Sequence, residues 1–202
     1  SVAGEGALRL YDGKTVLART PRDALLPLTT ELRGGRVPSL SDPMPVVASK
    51  VGLELNPVDL ANPDDRLWLR ALIFPELTPR FARLEGAIRT AMAYPVKMRF
   101  GDALDLLAPE IQALPSKGTP VVYHSFVTYQ FSTAMRERLH RTLLDLSVVR
   151  PIFRVSVEWA ANEHPLTVSR YENGSSESVV LADCNPHGAW LEWRHEPRVA
   201  AP

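Results

Sequence analysis

VGLELNPVDL at Val51–Leu60, followed much later by RFGDALDLL at Arg99–Leu107, is the pair of stretches from which the chain is read. Each is an apolar strand that ends in an acidic residue, Glu54 in the first and Asp102 in the second. In an open α/β sheet, ligands bind outside the carboxyl ends of the strands, and an acidic residue there can grip ribose hydroxyls. Two such ends point to a nucleotide-type cofactor site.

Working outward, Asn62 is a helix cap, with Pro63 suited to the first helical position and Asp64 and Asp65 suited to the positive end of the helix dipole. Leu67, Trp68, Ala71 and Leu72 share one face of that helix. Thr78-Pro79 starts a second helix, on which Phe81, Leu84, Ala87, Ile88 and Ala91 keep helical spacing. Val96–Phe100 reads as a strand, Leu104–Leu114 as a helix and Pro120–His124 as a buried strand. Ser132 caps a helix to Leu146, and Ile152–Glu158 is a strand. Strand–helix alternation of this kind predicts a Rossmann-like α/β fold, a mostly parallel sheet flanked by helices. Leu166–Trp193 departs from it: turn signals at Asn173-Gly174 and Asn185–Gly188 predict antiparallel strands at the C-terminal end. Residues 1–47 read as an N-terminal hairpin around Asp12-Gly13 followed by a Pro/Gly-rich loop segment, and residues 48–202 as the α/β domain.

The chain has 202 residues, 45% hydrophobic and 23% charged, ordinary values for a globular domain. Lys+Arg and Asp+Glu both number 23 and are interspersed, which argues against a nucleic-acid surface. Cys184 is the single cysteine, so an internal disulfide is excluded and a reducing, cytoplasmic setting is expected. There is no HExxH and no His/Cys cluster, no apolar run near the ~20 residues of a membrane helix, and no signal segment. The first residue is Ser1 rather than Met, and the chain is taken as part of a longer native one.

Glu54 either grips ribose, caps a neighbouring helix or pairs with Arg66 or Arg70, and Asp102 either accepts from an adenine amino group or caps the helix that follows. Asp59, in Asn56-Pro57-Val58-Asp59, lines the same cleft or stabilises a turn. On the same rim, if the sheet is parallel, His124-Ser125 ends the strand VVYHSF and Glu158 ends PIFRVSV. A strand-end histidine is a candidate general base. His187, in the turn Asn185-Pro186-His187-Gly188, is a second imidazole that a tight turn presents to a cleft.

Four blocks carry a family resemblance: VGLELNPVDLANPDDRLWLRALIFPE, RFGDALDLL, VVYHSFVTYQF and NPHGAWLEW, spanning Val51 to Trp193. Together they resemble the bacterial DUF2332 family, which implies no established activity. More loosely, the chain is similar to class I S-adenosylmethionine-dependent methyltransferases. That resemblance implies a ribose contact for Glu54, an adenine contact for Asp102 in Gly101-Asp102-Ala103, and a catalytic rim at His124. The first strand and Gly-rich loop of that class have no counterpart here, so the sheet is expected to need a homodimer partner or a missing N-terminal segment to fill the gap. Three functions follow as expectations. The first is an S-adenosylmethionine-binding, methyltransferase-like protein acting on a small molecule, with His124, Glu158 and His187 as catalytic candidates and Glu54, Asp59 and Asp102 holding the cofactor. The second is a non-enzymatic interaction domain with a degenerate cofactor site. The third is a metal-dependent hydrolase using His124, His187 and Glu158.

Overall fold

The computed structural model describes residues 7–11, 26–38 and 46–194; for residues 7–11 and Pro27 the backbone alone is described. The helices start where side chains can satisfy their first amides. α1 (Pro63–Ala71) is capped by Asn62, whose side chain accepts from the Asp64 amide at 3.0 Å. α2 (Thr78–Ala93) carries Pro79 in its first turn. α3 (Ala103–Ala113) is capped by Asp102 and α4 (Thr133–Ser147) by Ser132, each through a backbone amide.

The strands are β1 (Ala7–Tyr11), β2 (Pro27–Arg33), β3 (Val51–Glu54), β4 (Lys97–Phe100), β5 (Val121–Ser125), β6 (Ile152–Val157), β7 (Pro165–Glu172), β8 (Ser175–Cys184) and β9 (Trp190–Trp193). Seven of them form one sheet in the order β1-β2-β9-β8-β7-β6-β5, and β3 pairs with β4 in a separate two-stranded sheet. The large sheet is mixed. β1 and β2, β2 and β9, and β5 and β6 are parallel, while the centre from β6 through β7 and β8 to β9 is antiparallel.

This overturns the expected mostly parallel, helix-flanked Rossmann-like sheet, and the connections explain why. Only residues 158–164 separate β6 from β7, and a parallel crossover needs a dozen residues or more. The chain instead turns back through an isolated bridge between Ala160 and Glu163, with Ala161 at φ 53°. β7 and β8 are joined by Asn173 and Gly174 at φ 51° and 72°, the left-handed pair that a two-residue hairpin turn requires. β1 runs parallel to β2; the Asp12-Gly13 turn of the expected hairpin lies outside the described residues.

An apolar core joins α3 and α4 to one end of the large sheet and to β3. Leu104, Leu107 and Ile111 of α3 meet Leu139 and Leu143 of α4, Ile152 of β6 and Tyr171 of β7. Leu53 of β3 and Val122 of β5 pack against the same cluster. The two-stranded sheet and the β5 edge of the large sheet therefore share one helical layer, yet β3 and β5 do not pair with each other. α1 contributes nothing to the core. Leu67, Trp68 and Leu72 of its expected inner face are 61–62% exposed.

Candidate functional site

The carboxyl ends of β5 and β6 carry the densest polar arrangement. In their parallel register His124 lies opposite Ser156. Side chains two apart share a strand face, so Arg154 and Glu158 flank the histidine on either side. Arg154 donates its Nε–H to His124 Nε2 at 2.9 Å, and His124 Nδ1 stands 2.7 Å from Glu158 Oε1. With Nε2 accepting, the neutral ring carries its proton on Nδ1 and donates it to the carboxylate. Burial pushes the His124 pKa down, the Arg154 charge adds to this, and Glu158 opposes both.

Glu158 also accepts from three successive amides. Val127 and Thr128 donate to Oε1 at 3.0 Å and Tyr129 to Oε2 at 3.1 Å. They open a short 3-10 helix, Thr128–Gln130, and a carboxylate suits such converging N–H groups. Burial pushes the Glu158 pKa up, but the Thr128 and Val127 amides, His124 and the Tyr129 amide together bring it below the ordinary carboxylate value. Both imidazole nitrogens of His124 are thus occupied, and neither is left to take a proton from a substrate. The ring positions Glu158 and the 127–129 loop.

Beside it, Phe126 sits at φ 52°, an unusual conformation for a bulky residue. Its ring lies 5.7 Å from Trp159 and 5.8 Å from His164, and Trp159 and His164 meet edge-on at 4.4 Å. Sequence reading missed Arg154 and this aromatic group. The signal for Arg154 was present: Arg154, Ser156 and Glu158 alternate along one strand face.

Glu54 and Asp102 form the second arrangement. β3 and β4 pair in parallel with Glu54 opposite Phe100, and the Gly101 amide donates to the Glu54 carbonyl at 3.0 Å. Gly101 has φ 140°, which only glycine adopts readily, and this lets the chain turn from β4 into α3. The two carboxylates therefore leave adjacent strand ends. Glu54 Oε1 accepts from the Leu55 amide at 2.9 Å, and Asp102 Oδ1 accepts from the Leu104 amide at 2.8 Å. The other oxygen of each has no hydrogen-bond partner among the described residues.

The remaining candidates lie apart from these two. Asp59 works within its own turn: its carboxylate accepts from the Ala61 amide at 2.9 Å, and its amide donates to Asp65 at 2.8 Å. His187 is exposed and faces α2 across a hollow lined by Arg80, Arg83, Leu84 and Ala87. Cys184 is buried, and burial followed by the neighbouring Asp183 charge pushes its thiol up to about 11, so it stays protonated. Among the described residues no three His, Cys, Asp or Glu side chains group closely enough to hold a metal ion, which leaves the hydrolase reading without a ligand set there. No helix among them is long and apolar enough to cross a membrane.

The fold and these sites define a mixed α/β domain with two polar strand-end clusters over one helical layer. The chain belongs to the DUF2332 family, described as an uncharacterized protein conserved in bacteria, whose model matches residues 11–193. Searches of curated proteins and of solved structures returned no match.

Proposed function

We propose that this protein binds an adenosyl-type small molecule, with S-adenosylmethionine the expected ligand, at the carboxyl ends of β3 and β4. The observation that carries the reading is the placement of Glu54 and Asp102 on adjacent parallel strand ends, each exposed and each with one unengaged carboxylate oxygen among the described residues. A carboxylate accepts two ribose hydroxyls well, and a second one beside it suits an exocyclic amine. Any methyl transfer from such a ligand would rest on proximity and orientation, since His124 is committed to Arg154 and Glu158.

Calorimetric titration with S-adenosylhomocysteine and with adenosine tests this. Saturable binding is expected, weakened at least tenfold, about 1.4 kcal/mol, by Glu54→Gln. Asp102→Asn is the sharper variant, because asparagine caps a helix as well as aspartate does. It keeps α3 and removes only the ligand contact. Absence of binding, or equal binding by both variants, would overturn the reading.

One observation favours an interaction domain as a second reading. Trp68 is 62% exposed and Phe74 73% exposed, and β3 and β4 each have one edge unpaired among the described residues; exposed apolar surface and open edges of this kind mark association sites. A second copy or a further segment of chain would cover it. Light scattering tests this: a monodisperse monomer, unchanged by Trp68→Glu, would exclude the second copy.

A further inference from the structure

Arg80, Arg83, Leu84 and Ala87 follow one another at the spacing of a single helix face on α2. That face lines a shallow, open hollow of about 270 Å³, with His187 at its other side. The turn that carries His187 is fixed. Asn185 Oδ1 accepts from the His187 amide at 2.9 Å and the Ala189 amide at 3.3 Å, and the Gly188 amide donates to the Asn185 carbonyl at 2.9 Å. The Thr30 hydroxyl donates to the Gly188 carbonyl and ties the turn to β2.

The described arginines differ in their partners: Arg66, Arg136 and Arg150 donate to backbone carbonyls and Arg154 to His124. Arg33, Arg70, Arg99, Arg138, Arg170 and Arg194 all pair with carboxylates. Arg70 pairs with Glu85 of the same α2 at 2.7 Å. Arg80 and Arg83, one turn apart, have no acidic partner among the described residues. Two guanidinium groups three residues apart on one helix face, with no acidic partner among the described residues, disfavour one another, and an anion between them relieves this. Guanidinium forks match phosphate oxygens bidentately, and a histidine adds a donor from the facing side. Leu84 and Ala87 give the hollow an apolar floor. Its volume is at the small end for ligand sites.

We propose that this hollow binds the phosphate monoester of a small organic molecule, with Arg80, Arg83 and His187 on the phosphate and Leu84 and Ala87 beneath the organic part. The site uses none of the residues assigned to the adenosyl ligand, so the two readings stand or fall separately.

Phenyl phosphate is the probe, followed by backbone-amide NMR titration of the whole chain at low ionic strength, with phenol and sodium sulfate as controls. Saturable shifts at α2 and residues 185–189 are expected. Arg80→Gln combined with Arg83→Gln weakens binding at least tenfold, and His187→Ala weakens it severalfold. All three positions line an open surface, and an unchanged amide spectrum elsewhere confirms that each variant is folded. Equal affinity in the double variant, equal binding of phenol, or a response to phenyl phosphate no stronger than to sulfate would overturn the proposal.

Discussion

Replacing Glu158 by alanine removes the acceptor for four donors at once: the amides of Val127, Thr128 and Tyr129, and His124 Nδ1. The donors differ in what they lose. Val127 and Tyr129 are 38% and 52% exposed, so their amides can turn to water, whereas Thr128 is 6% exposed and the His124 side chain 11%. A buried donor left without a partner costs about 1–3 kcal/mol. Two such donors, with smaller losses at the exposed pair, give about 3–5 kcal/mol, the range seen when one partner of a buried ion pair is removed. Glu158→Gln keeps a carbonyl for the Val127 and Thr128 amides but sets its NH₂ against the Tyr129 N–H, at about 1–2 kcal/mol. Urea unfolding reads both, with fluorescence from Trp159, whose ring packs on Phe126 beside the site. A Glu158→Ala cost below about 1 kcal/mol, at unchanged m-value, would refute the assignment of Glu158 as the organiser of the 127–129 loop.

Two further outcomes follow. The folded-state pKa of His124 is depressed below its ordinary value of 6.5, so the unfolded chain binds more protons just below that pH. Stability therefore falls as the pH drops below 6.5, and a His124→Gln variant should show a flatter pH dependence of the urea midpoint in that window; an equal slope in the two proteins would count against it. The depressed Glu158 carboxylate adds a second loss further down, below its ordinary 4.5. Gly174→Ala should cost about 1–2 kcal/mol from backbone strain alone, because Gly174 holds φ 72° while an added Cβ would meet only Val148 at an ordinary 3.7 Å. A neutral effect on the thermal midpoint would show that the hairpin tolerates another turn.

Local chemistry was legible in the sequence and long-range pairing was not. Asn62, Asp102 and Ser132 could be read as caps because a cap contacts residues two or three positions away. Asn173-Gly174 announced its hairpin for the same reason. Which strand a short apolar run pairs with is decided by residues far along the chain. Nothing in LRLY or WLEW shows that β1 and β9 will flank β2. The break between β3 and β5 was equally hidden, since both strands bury side chains in the same core. The site divides in the same way. His124 and Glu158 were visible as strand ends, but the bond from Arg154 that occupies the histidine depends on the β5–β6 register. The apolar stripe of α1 predicted a buried face, and the structure leaves it in solvent.

The pairing of β2 with β9 also sets an order of assembly. Among the described residues β1 and β2 join the rest of the sheet through β9 alone, and the Thr30–Gly188 contact spans 158 residues. Closing so long a loop rather than one of about ten residues costs roughly 2–3 kcal/mol more in chain entropy. The β7–β8 hairpin, closed by two residues, bears no such burden and is favoured to form early. During synthesis β1 and β2 leave the ribosome well before β9, their neighbour in the sheet, is made. Until β9 follows they are open strand edges, the state in which a nascent chain most needs shielding from its neighbours.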